Sequence, residues 1–185
     1  IKERFVMKTT FITGGQSTGK STKALEMALI DPSPRVMIAT AQAFDAEMEE
    51  KIRRHREERQ DRFITLEEPI DLPSAFEKAL ALRPRVIVVD CLTMWVSNLL
   101  LAERTKDIPR FTERYLELLR LHSEQTELCH TLIVSNEVGF GIIPANALSR
   151  QYVVLLGSVN KAVANICDRV LLMVSGLPLA VKGAL

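Results

Sequence analysis

Residues 11–22 read FITGGQSTGKST, an apolar run that breaks into a glycine-rich turn and closes on Gly-Lys-Ser-Thr. Within it, Gly14-Gly15-Gln16-Ser17-Thr18-Gly19-Lys20-Ser21 fits the pattern G-x-x-x-x-G-K-[ST], and Thr22 follows. Glycines let the backbone turn tightly enough for successive N–H groups to converge on phosphate oxygens. A helix starting at the end of such a turn adds its positive end. Lys20 can then reach terminal phosphates, and the Ser21 hydroxyl is a ligand of the type that Mg²⁺ takes. The context agrees, with an apolar segment before the loop and the helical pattern STKALEMALI after it. The alternative is a plain glycine turn with a solvated lysine. Without nucleotide Lys20 is expected to face solvent.

Working outward, short β-rich runs alternate with longer helical stretches. The strands are expected at 9–13, 36–40, 63–67, 86–90, 131–135 and 170–174, and most are continuous apolar runs. Such runs suit strands buried on both faces of a parallel sheet, and the spacers between them are long enough for crossover helices. The expected fold is α/β: a doubly wound, mostly parallel sheet forming one nucleotide-binding domain over residues 1–185. A short run near 179–182, after the turn Ser-Gly-Leu-Pro, adds an antiparallel edge strand.

Open parallel sheets bind ligands at the carboxyl ends of their strands. Thr40, Ala41 and Gln42 follow the second strand here, Asp90 ends the fourth, and Ser135, Asn136 and Glu137 end the fifth. An apolar strand ending in Asp90 suits a carboxylate that holds Mg²⁺ directly or through water. Asp90 is also placed to cap the helix that begins at CLTMW.

Composition bounds the function. With 185 residues, 47% of them hydrophobic, the chain can build a real core, and a net charge of +1 gives no reason to expect a nucleic-acid partner. Cys91, Cys129 and Cys167 form no C-x-x-C pair and read as reduced thiols, so a cytoplasmic location is expected. No apolar run approaches a membrane span, and the first residues have no apolar signal-peptide core. Met7 is a candidate natural start.

The stretch DAEMEEKIRRHREERQDRF, residues 45–63, is a highly charged helix. Ion pairs such as Glu47–Lys51 and Glu50–Arg54 would make it a solvated surface helix. It still needs a packed face, and Phe44, Met48, Ile52, His55 and Arg59 share one stripe. His55 therefore points inward, as a packed hydrogen-bonded residue or as a catalyst, and spacing leaves both readings open. Arg54, Arg56 and Arg59 around it favour an anionic ligand. None of the three histidines makes a metal-ligand spacing with a cysteine.

These pieces together resemble a known family. TGGQSTGKS, IATAQAFDAEMEEKIRRHREER, LEEP, DCLTMWVSNLL, SNEVGFGIIP and VSGLPLAVK follow one another in the order found in the bifunctional adenosylcobinamide kinase/adenosylcobinamide-phosphate guanylyltransferases of cobalamin biosynthesis. The resemblance covers nearly the whole chain, and E-M-x-x-[KR]-I-x-x-H-[RK] and N-E-V-G-x-G-I-x-P are its most specific parts. It implies a RecA-like phosphate-loop fold and a homotrimer. It implies phosphorylation of adenosylcobinamide by ATP or GTP, then transfer of GMP from GTP through a GMP–histidine. His55 matches the family's nucleophile. Nucleotide binding is implied for residues 14–22, for Thr40, Ala41 and Gln42, and for Glu67 and Asp90. Where many relatives carry charges, this chain has Val153 and Val154, which bears on any corrinoid contact there. The helix carrying His55 is expected to swing over the loop.

The rival class is a RecA-type regulatory or motor ATPase, in which His55 would be packing only. A basic nucleic-acid surface or an arginine finger would mark it, and neither stands out.

Overall fold

The computed structural model describes residues 8–43, 45–125 and 129–185, without the side chains of residues 47, 51, 58, 59 and 125. Met7, Phe44, the Glu47–Lys51 pair and the Arg59 side chain thus lie outside the described residues. In chain order the elements are β1 (Thr9–Gly14), α1 (Lys20–Ile30), β2 (Arg35–Ala39) and α2 (Ala46–Arg59). A single 3-10 turn (Gln60–Arg62) leads to β3 (Ile64–Glu67), α3 (Leu72–Ala81), β4 (Val86–Asp90), α4 (Leu92–Leu101) and α5 (Asp107–Gln125). The chain continues through β5 (His130–Val134), α6 (Ala147–Ile166), β6 (Arg169–Val174) and β7 (Leu177–Lys182).

All seven strands join one sheet in the order β3-β2-β4-β5-β1-β6-β7. Each pair is parallel except β6–β7, the antiparallel edge expected near the C-terminal turn. Successive strand residues point to opposite faces, and the sheet therefore has two cores. Phe11, Val36, Ile38, Ile87, Val89 and Ile133 pack against residues of α3, α4, α5 and α6. Their neighbours Ile12, Met37, Val86, Val88, Leu132 and Val134 pack with Ala24 and Ala28 of α1. One face thus carries four helices, while α1 supplies the helical part of the other core. The β1 strand is buried throughout, and β2, β4 and β5 are buried except at one or both ends. The edge strands β3 and β7 are largely exposed. Continuous apolar runs therefore mark the centre of the sheet, and alternation returns at its margin.

Register aligns the strand ends that matter. Ala39 pairs with both Glu67 and Asp90, and Asp90 pairs with Val134. Val134 in turn pairs with Ile12, so the residues following β1, β2, β4 and β5 emerge side by side. No helix among the described residues is long and apolar enough to cross a membrane.

Candidate active site

The loop between β1 and α1 is held by its own backbone. Gly14 ends β1 at φ 152°, and a β-carbon there would lie 2.5 Å from the Met173 carbonyl oxygen, so β6 leaves room for glycine alone. The Gly14 carbonyl accepts from Glu137 N at 2.9 Å, which ties the loop to the segment after β5. Gly19 occupies the cap of α1 in the left-handed conformation, φ 86°, where glycine is strain-free. No side chain caps α1 and no acidic residue sits in its first turn. Its first N–H groups and positive end are therefore left for a ligand.

Lys20 corrects one expectation. It is only 7% exposed and does not face solvent. Its Nζ donates to the Gly15 carbonyl at 2.5 Å, and the Thr18 hydroxyl donates to the same oxygen at 3.0 Å. The ammonium group is folded onto the loop that it would leave to meet a phosphate.

Asp90 ends β4 with its Oδ1 accepting from the Ser21 hydroxyl at 3.3 Å. The helix-cap alternative fails: Cys91, not Asp90, is the cap residue of α4, and no side chain bonds there. The Asp90–Cys91 peptide is cis. Thr40 is fully buried, its hydroxyl donating to Cys91 O at 2.7 Å and accepting from Cys91 N at 2.9 Å. Its side chain thus fixes the turn after Asp90. Burial first, then the Asp90 charge, pushes the Cys91 thiol up to about 11, so it stays protonated and is no nucleophile near neutral pH.

A cavity of about 520 Å³ opens above these residues. Its floor is Gln16, Ser17, Thr18, Gly19, Lys20, Ser21 and Thr22, with Asp90 and Ala41 beside them. Its far wall is α2, through Met48, Ile52, Arg54 and His55. Of the stripe inferred from helical spacing, Met48, Ile52 and His55 face the phosphate loop and are half-buried. The solvent side of α2 carries its ion pairs: Arg53 bridges Glu50 and Glu57. Glu50 thus pairs with Arg53 rather than Arg54, which turns to the cavity.

Other residues lie outside this lining. Gly14 and Gly15 shape the loop from behind, and Gln42 follows Ala41 without lining the cavity. Arg56 and Glu67 form an exposed ion pair with each other, joining α2 to the end of β3.

One wall was signalled in sequence only by the polar residues Ser135 and Asn136 at the strand end. Asn136 Nδ2 donates to Gln16 Oε1 at 3.3 Å, and the Thr93 hydroxyl accepts from Asn136 N at 2.7 Å. Asn160 Nδ2, from α6, holds the Asn136 carbonyl at 2.9 Å, while the Ser135 hydroxyl donates to Asn160 Oδ1 at 2.7 Å. Tyr152 OH donates to the Thr93 carbonyl at 3.2 Å. The segment after β5, α4 and α6 thus steady one side of the loop. Thr93 and Asn160 look like ordinary helix residues in sequence, and only the sheet order brings them together.

With the geometry in place, comparison with known proteins is decisive. The profile of the family "Cobinamide kinase / cobinamide phosphate guanyltransferase" matches residues 10–181. The chain belongs to this family. It is 40% identical over 173 residues to the bifunctional adenosylcobalamin biosynthesis protein CobP of Pseudomonas aeruginosa, covering 93% of this chain and 96% of that one. It is 33% identical over 181 residues to the corresponding protein CobU of Salmonella typhimurium, covering 92% and 98%. Among solved structures, the RadB recombinase aligns with TM-score 0.53 at 17% identity, covering 90% of this chain and 74% of that one. The Pyrococcus horikoshii protein PH0250 aligns with TM-score 0.56 at 8% identity, covering 95% and 86%. These two similarities concern the fold, an α/β sheet of the phosphate-loop NTPase type with RecA-like neighbours. Family members of this kind are nucleotide-using enzymes of cobalamin biosynthesis.

Proposed function

We propose that this chain phosphorylates the hydroxyl of adenosylcobinamide with ATP or GTP and then transfers GMP from GTP to the resulting phosphate through His55. The observation that carries the reading is one cavity shared by the phosphate loop, Asp90 and His55. A kinase needs only the loop and an acceptor. A histidine facing the same loop from an otherwise ionic helix suits a second chemistry on the same nucleotide.

In the first reaction the substrate hydroxyl oxygen attacks the γ-phosphorus. The O–P bond forms, the bond to the β-phosphate oxygen breaks, and the hydroxyl proton is lost. Lys20 leaves the Gly15 carbonyl for the phosphate, and the loop N–H groups hold the transferred oxygens. In the second, the neutral His55 imidazole attacks the α-phosphorus, the P–N bond forms and pyrophosphate departs. The corrinoid phosphate then attacks that phosphorus, forming P–O, breaking P–N and restoring His55. Arg54 lines the cavity and suits binding of the phosphates. Roles in nucleotide binding are proposed for the loop residues, for Thr40, Ala41 and Gln42, and for Arg56, Arg59 and Glu67.

The Ser21 hydroxyl and Asp90 carboxylate, already 3.3 Å apart, are the hard oxygen donors that Mg²⁺ takes alongside nucleotide phosphates and water. Bound there, Mg²⁺ would neutralise charge on the phosphate oxygens. The chain is proposed to act as one catalytic domain in the cytoplasm, and its three free thiols fit that compartment. A homotrimer is also proposed. Phe140, Ile142 and Ile143 in the loop after β5 are 80%, 96% and 81% exposed, an apolar surface suited to a partner subunit.

Incubation with adenosylcobinamide and GTP labelled at the α or γ position tests the reading. The γ label should enter the corrinoid first, followed by the α label. Free phosphate with no labelled corrinoid would favour the motor-ATPase alternative.

A further inference from the structure

A second cavity, of about 330 Å³, shares no lining residue with the first. Its walls are α1, through Lys23, Met27 and Ile30, and the amino ends of β5 and β6, through His130 and Arg169. We propose that this cavity binds a small amphipathic monoanion, an apolar body carrying one carboxylate, with Arg169 as its charged anchor.

The argument starts from Arg169. Its Nε donates to the Thr10 hydroxyl at 3.2 Å, which fixes the guanidinium plane. Among the described residues no carboxylate forms an ion pair with it. Burial lowers its pKa, the sign of a partly desolvated cation. Desolvated guanidinium groups bind carboxylates through their remaining N–H fork.

The neighbouring charges set the ligand's charge. Thr10 Oγ1 lies 3.0 Å from His130 Nε2, and His130 Nδ1 lies 3.5 Å from Asp31 Oδ2. The Thr10 hydroxyl thus bridges Arg169 and His130. Desolvation lowers the His130 pKa against the opposing pull of Asp31, leaving the imidazole neutral near pH 7. Lys23 is paired with Glu26 at 3.5 Å and Asp31 faces His130, so Arg169 is the cation of this cavity that no described carboxylate holds. A single guanidinium fork matches one carboxylate better than a phosphate dianion. The remaining wall, Met27, Ile30, Leu171 and Pro178 among it, is apolar. A mostly apolar cavity with a few convergent polar groups is the usual form of a small-molecule site.

The proposal is independent of the reaction at the phosphate loop. Its probe is 1-naphthoate, an aromatic monocarboxylate, titrated into the full chain carrying 13C-methyl methionine. The Met27 methyl signal, assigned with Met27→Leu, should shift saturably, and Lys20→Ala in the other cavity should leave that titration unchanged. Arg169→Gln should weaken binding by about tenfold or more, the loss of a charge-assisted contact. Should that variant fail to fold, Ile30→Glu decides. Ile30 is 84% exposed, so the change places a negative charge at the rim without entering the core, and it too should weaken binding. The proposal is overturned if the Met27 methyl shows no saturable shift or if folded variants bind as the parent does. It is also overturned if inorganic phosphate produces the same shift at the same concentration.

Discussion

The phosphate loop and helix α2 face one another across a cavity, yet they are built in opposite ways. The loop is locked: Gly14 is wedged against β6, its carbonyl is held by Glu137, and Lys20 is buried on Gly15. No described side chain of α2 is buried, and the helix meets the site through a half-buried stripe of Met48, Ile52 and His55. Its ion pairs lie mostly in solvent, where each contributes little to stability. A phosphate-binding loop benefits from preorganisation, because its donors must already point at the ligand. A nucleophile that must approach, react and then make way for an acceptor benefits from a lightly packed carrier.

The largest expected effect lies on the locked side. Lys20→Ala should reduce both reactions by about a thousandfold, through loss of a preorganised cation. Because Lys20 is buried, the change should also cost about 1–2 kcal/mol of stability, visible as a Tm lower by roughly 2–8 °C. Turnover at the parent rate would remove the loop from the active site.

Asp90→Asn comes next. The amide keeps the size of the group and can still bond Ser21, but it loses the charge suited to Mg²⁺. Activity should fall about ten- to a hundredfold and the Mg²⁺ concentration giving half-maximal rate should rise. An unchanged Mg²⁺ dependence would leave Asp90 a purely structural role.

Acid should weaken the packed body. His122 packs edge-on to Phe76 with ring centroids 6.1 Å apart, and burial lowers its pKa from the ordinary 6.5. His130 is lowered for the same first reason. Both folded values lie below the unfolded value, so the unfolded chain takes up protons first. Stability is full above about pH 6.5 and declines as the pH falls below it. Urea midpoints between pH 8 and pH 5.5 should show that decline. A midpoint that is flat or rises on acidification would contradict it.

The smallest stability effect belongs to Arg56→Ala. The Arg56–Glu67 pair is exposed, so its loss should change stability by no more than about 1 kcal/mol. If the pair also frames the nucleotide, KM for GTP should rise while Tm holds. A Tm loss as large as that of Lys20→Ala would mean that α2 is fixed as firmly as the loop.

The same contrast explains what could be read from sequence. The loop is a local pattern, because its glycines and lysine act within eight residues, and the apolar runs beside it mark the central strands. Residue spacing also identified the stripe of α2. It could not show that Lys20 folds back on Gly15, because that depends on the loop's three-dimensional closure. Nor could it show that Asn136, Thr93 and Asn160 form one wall, since they come together only once β5 is placed between β4 and β1. Arg56 and Glu67, both assigned to nucleotide by resemblance, are seen bonded to each other, a pairing that neither position's neighbours reveal.

The central claim is that the lightly packed helix delivers a nucleophile to the locked loop. The direct measurement is denaturing electrophoresis of the protein after incubation with α-labelled GTP, for the parent chain and for His55→Asn. Asparagine roughly preserves polarity at a half-buried position, so the variant should fold and bind GTP. The parent should carry a covalent label that acid removes and base does not, as expected of a phosphoramidate. The variant should carry none, and its γ-phosphoryl transfer to adenosylcobinamide should be far less affected. An acid-labile GMP label that persists on His55→Asn would place the nucleophile elsewhere and contradict the account.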